Sequence, residues 1–122
     1  MCVLLVEDET LIREVMAESL QDAGYEVVEV DSGSVAVEML RQPPRRFTAL
    51  VTDFHMPGGV DGSQVAASVR EKFPEIPVII ASGRPEALQP RWRDDYDYRL
   101  LRKPYLPSEL ITLLHTLIGP PA

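Results

Sequence analysis

VLLVEDE, residues 3–9, is an unbroken apolar run that ends abruptly in acids. A strand wetted on one face alternates apolar and polar side chains. One without alternation is buried on both faces, and such strands belong to parallel sheets covered by helices. Working outward, further apolar, β-branched-rich segments follow: EVVEV (26–30), TALV (48–51), VIIA (78–81) and YRLL (98–101).

Helical patterns fill the intervals. Leu11, Ile12, Val15, Met16, Ser19 and Leu20 recur at helical spacing, and Gly24 supplies a left-handed stop. A second helix is expected over about 34–40, before Pro43 and Pro44, and a third over about 62–73, before Pro74. The last opens with Pro107 at its first position, carries Leu110, Leu113, Leu114 and Leu117 on one face, and stops at Gly119 and Pro120. Between the last two strands, residues 84–98 hold Pro85, Pro90 and a polar run around Trp92, so the fourth helix of the series is expected to be short or irregular. The alternation predicts an α/β fold: a doubly wound, five-stranded parallel sheet with helices on both faces and ligands beyond the carboxyl ends of the strands.

The 122 residues suffice for one domain, expected over 1–119 with 120–122 as a tail or linker stub. No apolar run approaches the roughly 18 residues of a membrane span, and the first is cut short by Glu7, Asp8 and Glu9 as no secretory signal would be, so a cytoplasmic location without membrane insertion is expected. Cys2 is the only cysteine, which excludes an internal disulfide and a multi-cysteine metal site; it reads as strand packing. A formal charge of −7 argues against direct nucleic-acid binding, which relies on clustered Lys and Arg.

The chemistry gathers at the strand ends: the first ends in Glu7 and Asp8, the third in Asp53, the fourth in Ser82 and Gly83, the fifth in Arg102, Lys103 and Pro104. Singly, each has a plain reading, as a helix-start acid, a turn cap or a solvated strand end. Together they do not. Three carboxylates on one rim repel one another unless they share a cation, and an all-oxygen donor set favours a hard ion such as Mg²⁺. Lys103 and Ser82 add a positive charge and a hydroxyl donor suited to a phosphoryl group, with Asp53 as the nucleophile.

LLVEDE, LVTDFHMPGGVDG, IIASG and LRKPY, in this order, resemble the receiver domain of two-component response regulators across essentially the whole chain. The resemblance implies the flavodoxin-like sheet order 2-1-3-4-5. It further implies that Asp53 accepts a phosphoryl group from a histidine kinase or histidine phosphotransfer protein, and that Glu7, Asp8, Asp53 and the backbone carbonyl of His55 hold Mg²⁺. Ser82 would bind a phosphoryl oxygen on switching, and Lys103, joined to Pro104 by a cis peptide bond, would pair with the phosphoryl group. A downstream protein effector, a monomer or weak dimer, and self-directed chemistry without an external metabolite are implied as well.

Two departures from the family pattern stand out. Leu100 occupies a position that is usually aromatic, while Tyr105 resembles the ending of a KPY or KPF subset. Switching is therefore expected to rely on Ser82 and residues 84–92. The loop PGGVDG, 57–62, is one residue longer than the commonest version, which predicts a looser turn beside the metal. The side chain of His55 and that of His115 are expected to be bystanders. Rival readings are a small-molecule phosphatase, disfavoured because His55 stands where one such family carries an acid, a non-switching interaction module, and a flavin module, disfavoured because Glu7 and Asp8 would repel a phosphate.

Overall fold

The computed structural model describes residues 1–84 and 98–121. In chain order the elements are β1 (Cys2–Val6), α1 (Thr10–Asp22), β2 (Glu26–Val30), α2 (Gly33–Arg41), β3 (Ala49–Asp53), α3 (Gly62–Lys72), β4 (Val78–Ser82), β5 (Arg99–Arg102) and α4 (Pro107–Ile118). The strands form one parallel sheet ordered β2-β1-β3-β4-β5. The expectation about a helix between β4 and β5, including Trp92, lies outside the described residues.

The continuous apolar runs are explained by two cores. Side chains of a strand alternate between faces, so Leu4, Val6, Leu50 and Ile80 pack with Ala36, Leu40, Val65 and Val69 of α2 and α3. Val3, Leu5, Val51 and Ile79 point the other way, onto Met16 and Leu20 of α1 and Leu110 and Leu114 of α4. Each fully buried leucine contributes about 1.5–3 kcal/mol by leaving water, which is why neither face tolerates a polar alternation. Cys2 lies buried in the first of these cores, as strand packing.

Local signals set the helix ends. Gly24 adopts φ +103°, and the amides of Gly24 and Tyr25 donate to the carbonyls of Gln21 (2.9 Å) and Leu20 (3.0 Å), the paired bonds of a left-handed helix stop. Ser32 caps α2 by accepting from the Val35 amide at 3.2 Å. Asp61 caps α3 by accepting from the amides of Ser63 and Gln64, while Gln64 accepts from the Asp61 amide. A reciprocal cap of this kind contributes about 1 kcal/mol and fixes where the loop after Asp53 becomes a helix.

The structure corrects the apolar stripe of α1. Met16, Ala17 and Leu20 are buried and Ile12 half-buried, but Leu11 and Val15 are 74% and 45% exposed. A single helix laid on a sheet buries one stripe, and Leu11 and Val15 fall beyond its edge. The strand ends fall as expected: β3 ends in Asp53 and β4 in Ser82. Among the described residues no helix is long and apolar enough to cross a membrane.

Candidate functional site

Parallel pairing brings the carboxyl ends of β1, β3, β4 and β5 to one rim. The ladder runs a residue further at several points: the Glu7 amide donates to the Val30 carbonyl (3.1 Å), that of Phe54 to Ala81 (2.9 Å) and that of Lys103 to Ser82 (2.9 Å). The main chain at the site is thus held by sheet hydrogen bonds. The Lys103–Pro104 peptide bond is cis.

The expected acids converge. Glu7, Asp8 and Asp53 each offer an oxygen, and these atoms lie within 4.8 Å of one another. Glu7 and Asp53 are only 4% and 7% exposed, whereas Asp8 is half-buried at the mouth. Lys103 reaches across from β5: its Nζ stands 3.0 Å from Asp53 Oδ1 and 3.3 Å from Glu7 Oε1. One ammonium so placed answers two buried carboxylates, and a further acid remains.

The imbalance is visible atom by atom. Glu7 Oε2 is buried and meets no hydrogen-bond donor among the described residues. Burial, then the charge of Asp53, push the Glu7 carboxyl up to about 7, against the opposing pull of Lys103. Burial alone would lower the Lys103 ammonium, but its hydrogen bonds and attraction to Asp53 and Glu7 prevail and raise it. A proton on Glu7 or a cation among the acids satisfies the orphaned oxygen. The donor set, all carboxylate oxygen, fits a hard divalent ion.

A stability prediction follows for protein stripped of divalent ions by a chelator. Glu7 has a folded-state pKa raised from its ordinary 4.5 to about 7, so the folded state holds the proton longer than the unfolded chain does. Its contribution is fully present below pH 4.5 and is lost as pH rises through 7. Relative to Glu7→Gln, the wild type is expected to lose up to about 3 kcal/mol between pH 4.5 and 8, read from urea midpoints. A difference between the two proteins that stays flat with pH would mean that Glu7 ionises as an ordinary carboxyl.

The remaining expected residues fall as follows. Ser82 is fully buried at the end of β4, and its hydroxyl accepts from the Arg84 amide at 3.0 Å, so it sits at the rim but is bonded locally. His55 follows Asp53 by two residues with its ring exposed and edge-on to Phe54, centroids 4.8 Å apart; the metal-competent side chains do not include it. His115 is exposed on α4, its ring tilted against Tyr25 at 5.9 Å. Leu100 packs against the core shared with α2 and α3. Tyr105 is half-buried against the α1 side, its phenol pushed up to about 12 by burial and then by the charge of Glu7.

Three features were not anticipated. Gly62, read only as a helix start, passes so close to Asp53 that a Cβ there would collide with the Asp53 carbonyl. An apolar groove of about 480 Å³ opens beside Lys103, lined by Glu9, Ile12, Met16, Lys103, Pro104 and Tyr105. Arg13 donates to the carbonyl of Glu7. A legible signal existed for the last: a cation in the first turn of a helix opposes the helix dipole and needs a tertiary reason.

Comparison with known proteins gives the family and the fold. The family model for the response regulator receiver domain matches residues 3–115. The response regulator receiver protein CpdR of Brucella abortus is 31% identical over 117 residues, covering 95% of each chain. The response regulator protein FleR of Pseudomonas aeruginosa is 37% identical over 78 residues; the match covers 64% of this chain and 16% of FleR. Among solved structures, the receiver domain of the sensor histidine kinase PA1611 from Pseudomonas aeruginosa, which has a magnesium ion coordinated in its active site cleft, superposes with a TM-score of 0.79 at 28% identity over 97% of both chains.

Proposed function

The chain belongs to the response regulator receiver domain family, and from that premise we propose that it is a phosphoacceptor switch, taking a phosphoryl group from a phosphohistidine onto Asp53 with the help of Mg²⁺. The observation that carries the reading is the cluster itself: a buried aspartate at the end of β3, paired to Lys103 at 3.0 Å and grouped with Glu7 and Asp8 within 4.8 Å. In the transfer, a carboxylate oxygen of Asp53 attacks phosphorus, the bond to the donor imidazole nitrogen breaks, and that nitrogen leaves with its electron pair. Lys103 steadies the Asp53 carboxylate and the phosphoryl charge delivered to it. Glu7 and Asp8 would hold Mg²⁺ together with Asp53 and the His55 carbonyl. The ion supplies neutralisation of the phosphoryl oxygens as charge shifts between donor and acceptor.

The apolar groove beside Lys103 supports a protein donor, a histidine kinase or phosphotransfer protein, since a small anionic donor has no use for Ile12 and Met16. The product is a modified receiver, so the chain's chemistry is on itself and its output is altered affinity for a downstream protein, in the cytoplasm. With Leu100 in place of an aromatic ring, rearrangement is assigned to Ser82, whose hydroxyl exchanges the Arg84 amide for a phosphoryl oxygen. A few kcal/mol of differential contact is enough to redistribute two such states.

The test is intact mass after incubation with acetyl phosphate, with Mg²⁺ and with chelator. Gain of one phosphoryl group only with Mg²⁺, with amide shifts reaching Ser82 and Lys103, is expected. A protein that gains no mass and shows no shift under either condition would be a receiver fold that binds partners without switching.

A further inference from the structure

The turn between β1 and α1 carries two of the three acids, and an arginine bonds to its main chain. Arg13 lies in α1 with its side chain 16% exposed. Its Nη1 donates to the carbonyl oxygen of Glu7 at 3.0 Å, and its Nε stands 3.6 Å from Oε1 of Glu29 on β2. The Glu7 amide meanwhile donates to the Val30 carbonyl, also at the end of β2. The amide and the carbonyl of Glu7 are therefore both tied toward the same neighbouring strand. Among the described residues no other side chain donates to the main chain of this turn.

α1 holds the turn through its main chain, the Arg13 amide donating to the Glu9 carbonyl at 2.9 Å, but adds no side-chain cap. Glu9, its N-cap residue, makes no side-chain cap hydrogen bond. Yet the turn must resist a real force, because Glu7 and Asp8 face Asp53 across the rim and like charges at that range push apart. A turn free to yield would widen the separation of the acids before an ion arrived, and closing it again would cost binding free energy.

We infer that Arg13 is a positioning residue for divalent-ion binding: by bridging Glu29 to the Glu7 carbonyl it keeps Glu7 and Asp8 at ligand spacing from Asp53. The inference rests on the phosphoacceptor reading for its purpose, though not for its measurement. It makes a prediction whose sign separates it from plain electrostatics. Removing a cation near the acids, by charge alone, tightens Mg²⁺ binding; releasing the turn weakens it.

Mg²⁺ alone is titrated into wild type, Arg13→Met and Arg13→Lys, following the amides of Asp8 and Asp53 by NMR, with urea midpoints recorded for each. Arg13→Met keeps the apolar stem and is expected to raise the Mg²⁺ dissociation constant about tenfold, the range for loss of a group that orients ligands. Arg13→Lys, which keeps the charge but cannot span both partners, should fall between it and wild type. At saturating Mg²⁺ the rate of phosphoryl uptake from acetyl phosphate should return close to the wild-type value, because the defect is in ion affinity. Tighter or unchanged Mg²⁺ binding in the folded variants overturns the inference, as does a rate defect that Mg²⁺ does not restore. If Arg13→Met fails to fold, Arg13→Lys carries the same test. A wild type that binds Mg²⁺ but takes up no phosphoryl group would sink the phosphoacceptor reading and leave this one standing.

Discussion

Asp53→Asn is expected to reduce phosphoryl uptake from acetyl phosphate by about a thousandfold or more, to below detection by intact mass. An amide oxygen is a poor nucleophile, and the neighbours offer no replacement. Glu7 is buried and paired to Lys103, and is one of the acids that would hold the ion, and Ser82 is fully buried with its hydroxyl engaged by the Arg84 amide. The substitution is nearly isosteric, and Asn can still accept from Lys103, which donates to Asp53 Oδ1 at 3.0 Å. The fold is therefore expected to survive, with the like-charge repulsion on Glu7 relieved. Phosphoryl incorporation that persists in Asp53→Asn at the wild-type rate would place the acceptor elsewhere and end the reading.

Gly62→Ala is expected to cost about 3 kcal/mol, lowering the thermal midpoint by on the order of 10 °C. An added Cβ would strike the Asp53 carbonyl oxygen and come within 2.8 Å of Phe54 Cα and 3.0 Å of the Asp53 carbonyl carbon. All three are backbone atoms and cannot rotate away. The Gly62 amide also donates to the Phe54 carbonyl at 2.8 Å, so the start of α3 cannot move off without losing that bond. Displacement would be passed directly to Asp53. Phosphoryl uptake in the folded fraction should fall about a hundredfold for a shift near 1 Å. Gly83→Ala, where the new methyl meets open space, should change stability by less than about 0.5 kcal/mol. Equal urea midpoints for Gly62→Ala and wild type would show that the contact is looser than the geometry requires.

These expectations draw on different depths of the sequence. Asp53 could be found from the chain alone because an apolar run ends in it and a proline and glycines follow. The start of α3 near Gly62 was legible too, while the reciprocal cap of Asp61 and Gln64 that fixes it came with the structure. The collision that makes Gly62 irreplaceable was not, because it depends on how far α3 approaches the end of β3.

What the sequence determined by itself was the alternation of strands and helices, the parallel doubly covered sheet and the strand-end residues. Burial on both faces writes an uninterrupted apolar run, and a helix laid on a sheet writes a stripe. Tertiary structure alone decided which acid is buried and orphaned, that Lys103 serves Glu7, 96 positions away, as well as Asp53, and that Leu11 and Val15 stay in water. It also tied Arg13 to the turn that carries Glu7 and Asp8. The physical reason is common to all of these. Periodicity records how much of each residue is buried, whereas the partner that meets it is fixed by strand order, register and the crossing of elements distant in the chain.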